Sequence, residues 1–239
     1  MGCGHFLKKD FDITFYEKND YVGGHTNTIS VDENGKEVFF DTGFMVFNHA
    51  TYPYLTKLFD ELKVETKKTS MSFSVQHVPT GLEYCGSGMN GLFAQRKNIF
   101  SRKFIRLLKQ ISKFNLIANE IIKNEVPGKP DKRLHSDTVS EFCEAHGLGD
   151  EFLYKYLIPM SGAVWSTPID KMLSFPAYTL IRFFYNHGFL GLNTQHQWWT
   201  VEGGSKNYRD KIIAPFKERI RVSEPALSVN RAKNGVVVH

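Results

Sequence analysis

Cysteine is scarce in this chain. Three occur in 239 residues, at Cys3, Cys85 and Cys143. So few, so widely spaced, imply no disulfide framework and fit a reducing, cytoplasmic compartment. There is no Cys-x-x-Cys. Cys143, His146 and His135 are near in sequence, but a structural zinc site needs four ligands, so no metal is expected. No apolar run approaches the length of about 18 residues that a membrane-spanning helix requires. The first residues lack the charged, apolar and small-residue regions of a signal peptide. Internal repeats, low-complexity tracts, a Ser-His-Asp order and paired carboxylates are missing too. So is a Gly-x-Gly-x-x-Gly turn following a strand.

What is present is mildly basic and aromatic. The formal net charge is +5, with a pI near 9.0. That balance suits an anionic cofactor or a membrane surface, and equally a solvated Lys-rich exterior. No nucleic-acid signature accompanies it. Hydrophobic residues make up 41% and aromatics 14%, with twenty Phe. These serve either a thick core or a broad apolar cavity. The length fits one large domain or two small ones.

The most informative stretch is Ile13–Thr28. Ile13–Tyr16 reads as a buried parallel strand. Glu17 stands where that strand ends, and Gly23-Gly24 follows. In a dinucleotide-binding βαβ unit, an acid at the end of the second strand accepts hydrogen bonds from ribose hydroxyls. Glycines let backbone approach a ligand with no Cβ in the way. A strand, an acid and a glycine turn also occur together in many proteins that bind no nucleotide.

Glu17–Thr28 resembles the segment after the second strand of flavin-dependent amine oxidases, whose relatives include protoporphyrinogen oxidases and carotenoid desaturases. It is more similar to a bacterial branch of predicted NAD/FAD-binding, amine-oxidase-like proteins, in which the usual Gly-Gly-Arg reads Gly-Gly-His-Thr-Asn-Thr. The resemblance continues through Phe40–Asn48, Met71–Ser74, Ala163–Ser166, Phe175–Ala177 and Trp199–Ser205. It implies FAD as cofactor. It assigns Glu17 to the ribose, Gly23, Gly24 and His25 to the phosphate and ribityl region, and Gly43, Phe44 and Met45 to the flavin side. Ala226 falls where backbone meets adenine. A His in place of Arg is shorter and can be neutral, which weakens the charge contact. The family's glycine turn lies roughly 20 residues before the acid, whereas 16 residues precede Glu17. Met1–His5 therefore aligns inside the first helix, and both ends read as cut.

The rest of the chain predicts alternating elements. Gly4–Lys9 reads as the tail of a helix and Phe11–Tyr16 as a strand. Thr28–Asp32 and Glu37–Phe40 form a hairpin around Asn34-Gly35. Tyr52–Leu62 is an amphipathic helix. Met71–His77 and Leu82–Tyr84 are a second strand pair. Phe104–Ile122 is a long basic amphipathic helix, docked on its own core or laid on a membrane. Val126–Pro130 breaks the chain. Thr138 and Glu141 form a capping box. Glu151–Ile158 is helical until Pro159, and Pro176–Asn186 follows with an apolar face of Leu180, Ile181 and Phe184. Trp198-Trp199 begins a strand, and Gly203-Gly204-Ser205 opens a helix whose free N–H groups suit an anion. Ile220–Val222, Leu227–Val229 and Val236–Val238 are closing strands.

The expected fold is α/β: an incomplete, three-layer, Rossmann-like FAD/NAD(P)-binding domain with an inserted, mostly helical α+β substrate domain. Residues 1–75 and 200–239 form the first and 76–199 the second. The expected function is an FAD-dependent oxidoreductase of the amine-oxidase type, oxidising a C–N or C–C bond of a small, lipid-like substrate. Two alternatives stay open: a truncated, non-catalytic binding module, and a protein peripheral to the inner membrane through the 104–122 helix. Trp165, Phe175, Tyr185, His187 and Trp199 are candidates to line a pocket or to pack a core. His187 also suits a helix C-cap. No catalytic residue stands out, and the oligomeric state cannot be read.

Overall fold

A computed structural model describes residues 1–43, 46–125, 136–191 and 194–239. Phe44, Met45 and the Val126–Pro130 breaker lie outside the described residues. The chain divides into two units, 1–70 with 197–239, and 71–196. Ten strands are described: β1 Phe15–Tyr16, β2 Thr28–Glu33, β3 Lys36–Asp41, β4 Thr66–Thr69, β5 Ser74–His77, β6 Leu82–Cys85, β7 Trp198–Val201, β8 Ile220–Arg221, β9 Val229–Ala232 and β10 Gly235–Val238.

The discontinuous unit is built from strand pairs. β1 and β8 are parallel; β2–β3, β4–β7 and β9–β10 are antiparallel. Asn34 and Gly35 both take positive φ, 57° and 82°, and the Asp32 carboxylate accepts from Gly35 N at 2.9 Å. That turn chemistry fixes the β2–β3 register. Strand β1 is shorter than the expected Phe11–Tyr16. In the parallel register Phe15 faces Ile220, so residues 11–14 would need 216–219 as partners, and those are wound into the 3₁₀ helix Ala214–Arg219. The ladder therefore begins only at Phe15. The core of this unit is Phe47, Phe59, Val201, Tyr208, Ile212, Ile213 and Phe216. Helix Pro53–Glu61 supplies Phe59, and helix Lys206–Ile213 supplies Tyr208, Ile212 and Ile213. Helix Gly2–Leu7 comes close to β1 because Gly4 has no side chain; a Cβ there would lie 2.3 Å from Phe15 Cζ.

The 71–196 unit is mostly helical, with the β5–β6 hairpin. Its longest helix, Arg102–Lys123, is capped by Ser101 Oγ, which accepts from Phe104 N at 3.3 Å. The helix buries Phe104, Leu107, Phe114, Ala118 and Ile122. The apolar stripe expected to face either the core or a membrane is therefore taken by the core. The capping box at Thr138 and Glu141 is made in both directions, at 3.2 and 2.8 Å. Pro159 does not end its helix. Leu153–Leu157 winds as a π-helix and runs straight into helix Ile158–Trp165. The wider turn places Pro159 at a first-turn position, where the missing N–H breaks no helical bond. Helix Ala177–Asn186 is central, with Leu180, Ile181 and Phe184 at most 1% exposed. No described helix is long and apolar enough to cross a membrane.

Candidate functional site

Three of the expected site residues, Glu17, Gly23 and Gly24, line one cavity beside the parallel pair β1–β8. In open α/β sheets, ligands bind outside the carboxyl ends of the strands. Glu17 is the first residue beyond β1. Its N–H donates to Arg221 O at 2.9 Å, and its C=O accepts from Glu224 N at 3.0 Å. The side chain turns back so that Oε1 accepts from Asn19 N at 2.9 Å. Oε2 has no hydrogen-bond partner among the described residues.

Beside it lies a cavity of ≈ 170 Å³, lined by β1, Glu17, Val22, Gly23, Gly24, Phe216, Ile220 and Met1. The Gly23–Thr26 loop forms one wall. Thr26 N donates to Gly23 O at 3.0 Å. Thr26 Oγ1 pairs with Tyr208 OH at 2.7 Å, a buried bond that ties the loop to helix Lys206–Ile213. Burial raises the Tyr208 pKa, and the Thr26 hydroxyl partly offsets that. The phenol therefore stays neutral and serves as an anchor.

The glycines in this region have different reasons to be glycine. Gly23 takes φ +133°, and a Cβ there would meet Thr26 O at 2.5 Å. Gly43 admits the backbone of His25, whose carbonyl oxygen would lie 2.1 Å from a Cβ. Both are required by the chain's own packing. Gly24, at φ +57°, has nothing within 4 Å of a Cβ position. Gly24 and His25 are exposed. The structure thus brings Glu17, Gly23 and Gly24 to one cavity and places His25 against Gly43. Ala226 is exposed in the β8–β9 connection and is not among the lining residues.

The second glycine pair departs from the expectation of an anion site. The start of helix Lys206–Ile213 does hold an anion, but it belongs to the chain: the Asp41 carboxylate at the end of β3. Ser205 N donates to Asp41 Oδ1 and Oδ2, both at 2.9 Å, and Ser205 Oγ donates to Oδ1 at 2.6 Å. Thr28 Oγ1 donates to the same oxygen at 2.5 Å and accepts from Lys206 N at 2.9 Å. Asp41 caps a helix 164 residues away and leaves that terminus no need for an external anion. These residues were missed by sequence reasoning. The available signal was a helix start needing an acceptor and one acid at a strand end.

The aromatic candidates fall into separate places. Trp165 packs on Phe175 and Phe183, with ring centroids 5.1 and 4.6 Å apart, and His187 stacks on Phe183 at 3.9 Å. His187 Nδ1 lies 2.9 Å from Phe183 O, so the ring caps its helix. Burial lowers its pKa, the Phe183 carbonyl partly restores it, and His196 lowers it further. Tyr185 is exposed. Trp199 belongs to the other unit, where its backbone pairs with Phe47 and its ring lies edge-on to His49 at 4.9 Å. Among the described residues no three His, Cys, Asp or Glu gather in a way that could hold a metal.

The chain matches the family described as flavin containing amine oxidoreductase over residues 5–239, and it belongs to that family. The family's cofactor is FAD. Among solved structures, cyclohexylamine oxidase from Brevibacterium oxydans IH-35A is similar, at 16% identity and a TM-score of 0.68. Wild-type putrescine oxidase bound to putrescine is similar at 16% identity and a TM-score of 0.66. Each alignment covers 99% of this chain and 51% of the other. The chain thus has the α/β fold of these oxidases and spans about half their length. Comparison with curated protein sequences gives no match.

The cavity fits one part of FAD. An unshared carboxylate oxygen beside apolar walls and an open glycine suits a ribose with its hydroxyl pair. No Lys, Arg or His lines the cavity, so the described residues offer no side-chain cation there for the pyrophosphate.

Proposed function

We propose that this chain carries the ribose-binding part of an FAD-dependent oxidoreductase of the amine-oxidase type. The carrying observation is that Glu17, with one carboxylate oxygen unshared among the described residues, lines a cavity together with Gly23 and Gly24. Glu17 Oε2 accepts from the ribose hydroxyls, and Gly24 leaves the approach clear. In the same reading His25 serves the phosphate and ribityl region, Gly43 with Phe44 and Met45 the flavin side, and Ala226 the adenine. Residues 1–75 and 200–239 form the FAD-binding part and 76–199 form the inserted substrate part. Bound flavin supplies a two-electron acceptor for oxidation of a C–N or C–C bond. The protein's share is to bind and orient. Asp41, Ser205 and Thr28 fasten β3 to helix Lys206–Ile213, and Tyr208 fastens the glycine loop to the same helix. The substrate is a small molecule, lipid-like on the strength of the aromatic content, and the setting is the bacterial cytoplasm.

The test is to incubate the purified chain with FAD, desalt it, and add alkylamines of increasing chain length without oxygen. Retained flavin absorbance that bleaches faster with longer chains is the expected result. Retained flavin that no amine bleaches would favour the second reading, a nucleotide-binding module without turnover. The small volume of the cavity favours that reading. No retained flavin would contradict both.

A further inference from the structure

The chain's basicity is concentrated in one segment. Residues 84–119 contain no Asp or Glu and seven cations: Arg96, Lys97, Arg102, Lys103, Arg106, Lys109 and Lys113. The net charge of the whole chain is +5, so without these seven the remainder is negative. All seven are exposed. None pairs with a carboxylate among the described residues: Arg96 donates to Phe93 O and Asn90 Oδ1, and Lys113 donates to His146 O. Exposed Glu120 lies about two turns beyond Lys113 on the same helix, and the acids flanking the segment elsewhere have partners of their own. Glu83 accepts from Gln76, and Glu151 pairs with Lys155.

Four of the cations form a line. Arg102, Arg106, Lys109 and Lys113 recur at the 3/4 spacing that puts them on one stripe of the helix, opposite buried Phe104, Leu107 and Phe114. Just before the helix, the 3₁₀ turn Arg96–Phe100 carries Ile99, 46% exposed, and Phe100, 88% exposed. Buried Asn98 holds this turn, its N–H donating to Gln95 O at 2.9 Å and its Nδ2 to Gln95 Oε1 at 3.2 Å. Ile99, Phe100, Arg102, Ile105, Arg106 and Lys109 together line a shallow groove of ≈ 340 Å³.

We propose that this face docks on an anionic phospholipid bilayer. The occupant is argued from charge complementarity. Uncompensated cations flank a fixed apolar tip, as a bilayer sets anionic headgroups above an apolar layer. The contact uses the cationic face of the helix and Ile99–Phe100. It is not the apolar face, which the core already occupies. The inference does not depend on flavin binding.

The test is flotation of the full chain with vesicles of phosphatidylcholine alone or with about 30% phosphatidylglycerol, an anionic content that attracts basic segments. Wild type should float with the anionic vesicles only, and high salt should release it. At about 1 kcal/mol per basic residue near the surface, the Arg102→Glu/Arg106→Glu/Lys109→Glu variant should bind on the order of 100-fold more weakly. Phe100→Ser should lose several-fold, and both variants should keep the wild-type circular dichroism. A charge-matched control, Lys36→Glu/Lys57→Glu/Lys233→Glu, should bind far better than the first variant. Equal losses in the control and the triple variant would overturn the proposal, because bulk charge would then suffice. So would equal flotation with neutral vesicles, or retention on a polynucleotide without flotation.

Discussion

The two glycine pairs of the discontinuous unit look alike in sequence and do opposite things. Gly203 and Gly204 take φ of +71° and +92°, and Cβ atoms there would meet Asn207 at 2.7 Å and Thr28 at 2.5 Å. The helix that follows them is closed by Asp41. Gly23 is likewise filled by its own neighbours, but Gly24 faces open space beside a cavity and an unshared carboxylate oxygen. A glycine pair therefore does not by itself mark a ligand. The informative glycine is the one whose missing side chain leaves room that the protein does not use.

The sharpest way to break the closed pair is Gly204→Val. A β-branched side chain at positive φ, driven against Thr28, should cost about 3 kcal/mol or more, read as a lower urea midpoint. Asp41→Ala comes next. It strips the acceptor from Ser205 N, Ser205 Oγ and Thr28 Oγ1, and a loss of about 2–3 kcal/mol is expected. Asp41→Asn should recover part of it. At the open pair the same kind of change is milder: Gly24→Ala should cost about 1–2 kcal/mol, the backbone strain alone. Equal costs at Gly24 and Gly204 would erase the distinction.

A smaller effect is expected at His187, in the other unit. Burial holds its folded pKa below the unfolded value, about 6.5. The unfolded chain then binds more protons across that interval. The stability contributed by neutral His187 is complete above that value and declines as pH falls from it through the folded pKa. His187→Gln should flatten the decline measured by urea unfolding between neutral and mildly acid pH. An unchanged slope would remove His187 from the account.

Local chemistry was legible in the sequence. Asn34-Gly35 specified its hairpin, Thr138 and Glu141 their capping box, and the spacing of Leu180, Ile181 and Phe184 a buried helix. Each depends on neighbours a few residues away. Glu17 with Gly23 and Gly24 was legible as a cluster because one strand end and the loop after it carry all three. Partnerships at long range were not. The helix start at Ser205 announced that it needed an anion, but nothing nearby in the chain says that Asp41 provides it. Pro159 read as a stop because a sequence does not display a π-turn. The seven cations of 84–119 were visible, but only the packing of Phe104, Leu107 and Phe114 shows which face they occupy.

The most direct test compares FAD affinity, by fluorescence titration, in wild type, Glu17→Gln and Asp41→Asn. The account predicts that Glu17→Gln weakens binding at least about tenfold, the order of one charge-assisted hydrogen bond, while its urea midpoint stays near wild type. Asp41→Asn should lose stability and keep its affinity in the folded state. Undiminished affinity in Glu17→Gln, or a loss confined to Asp41→Asn, would contradict it.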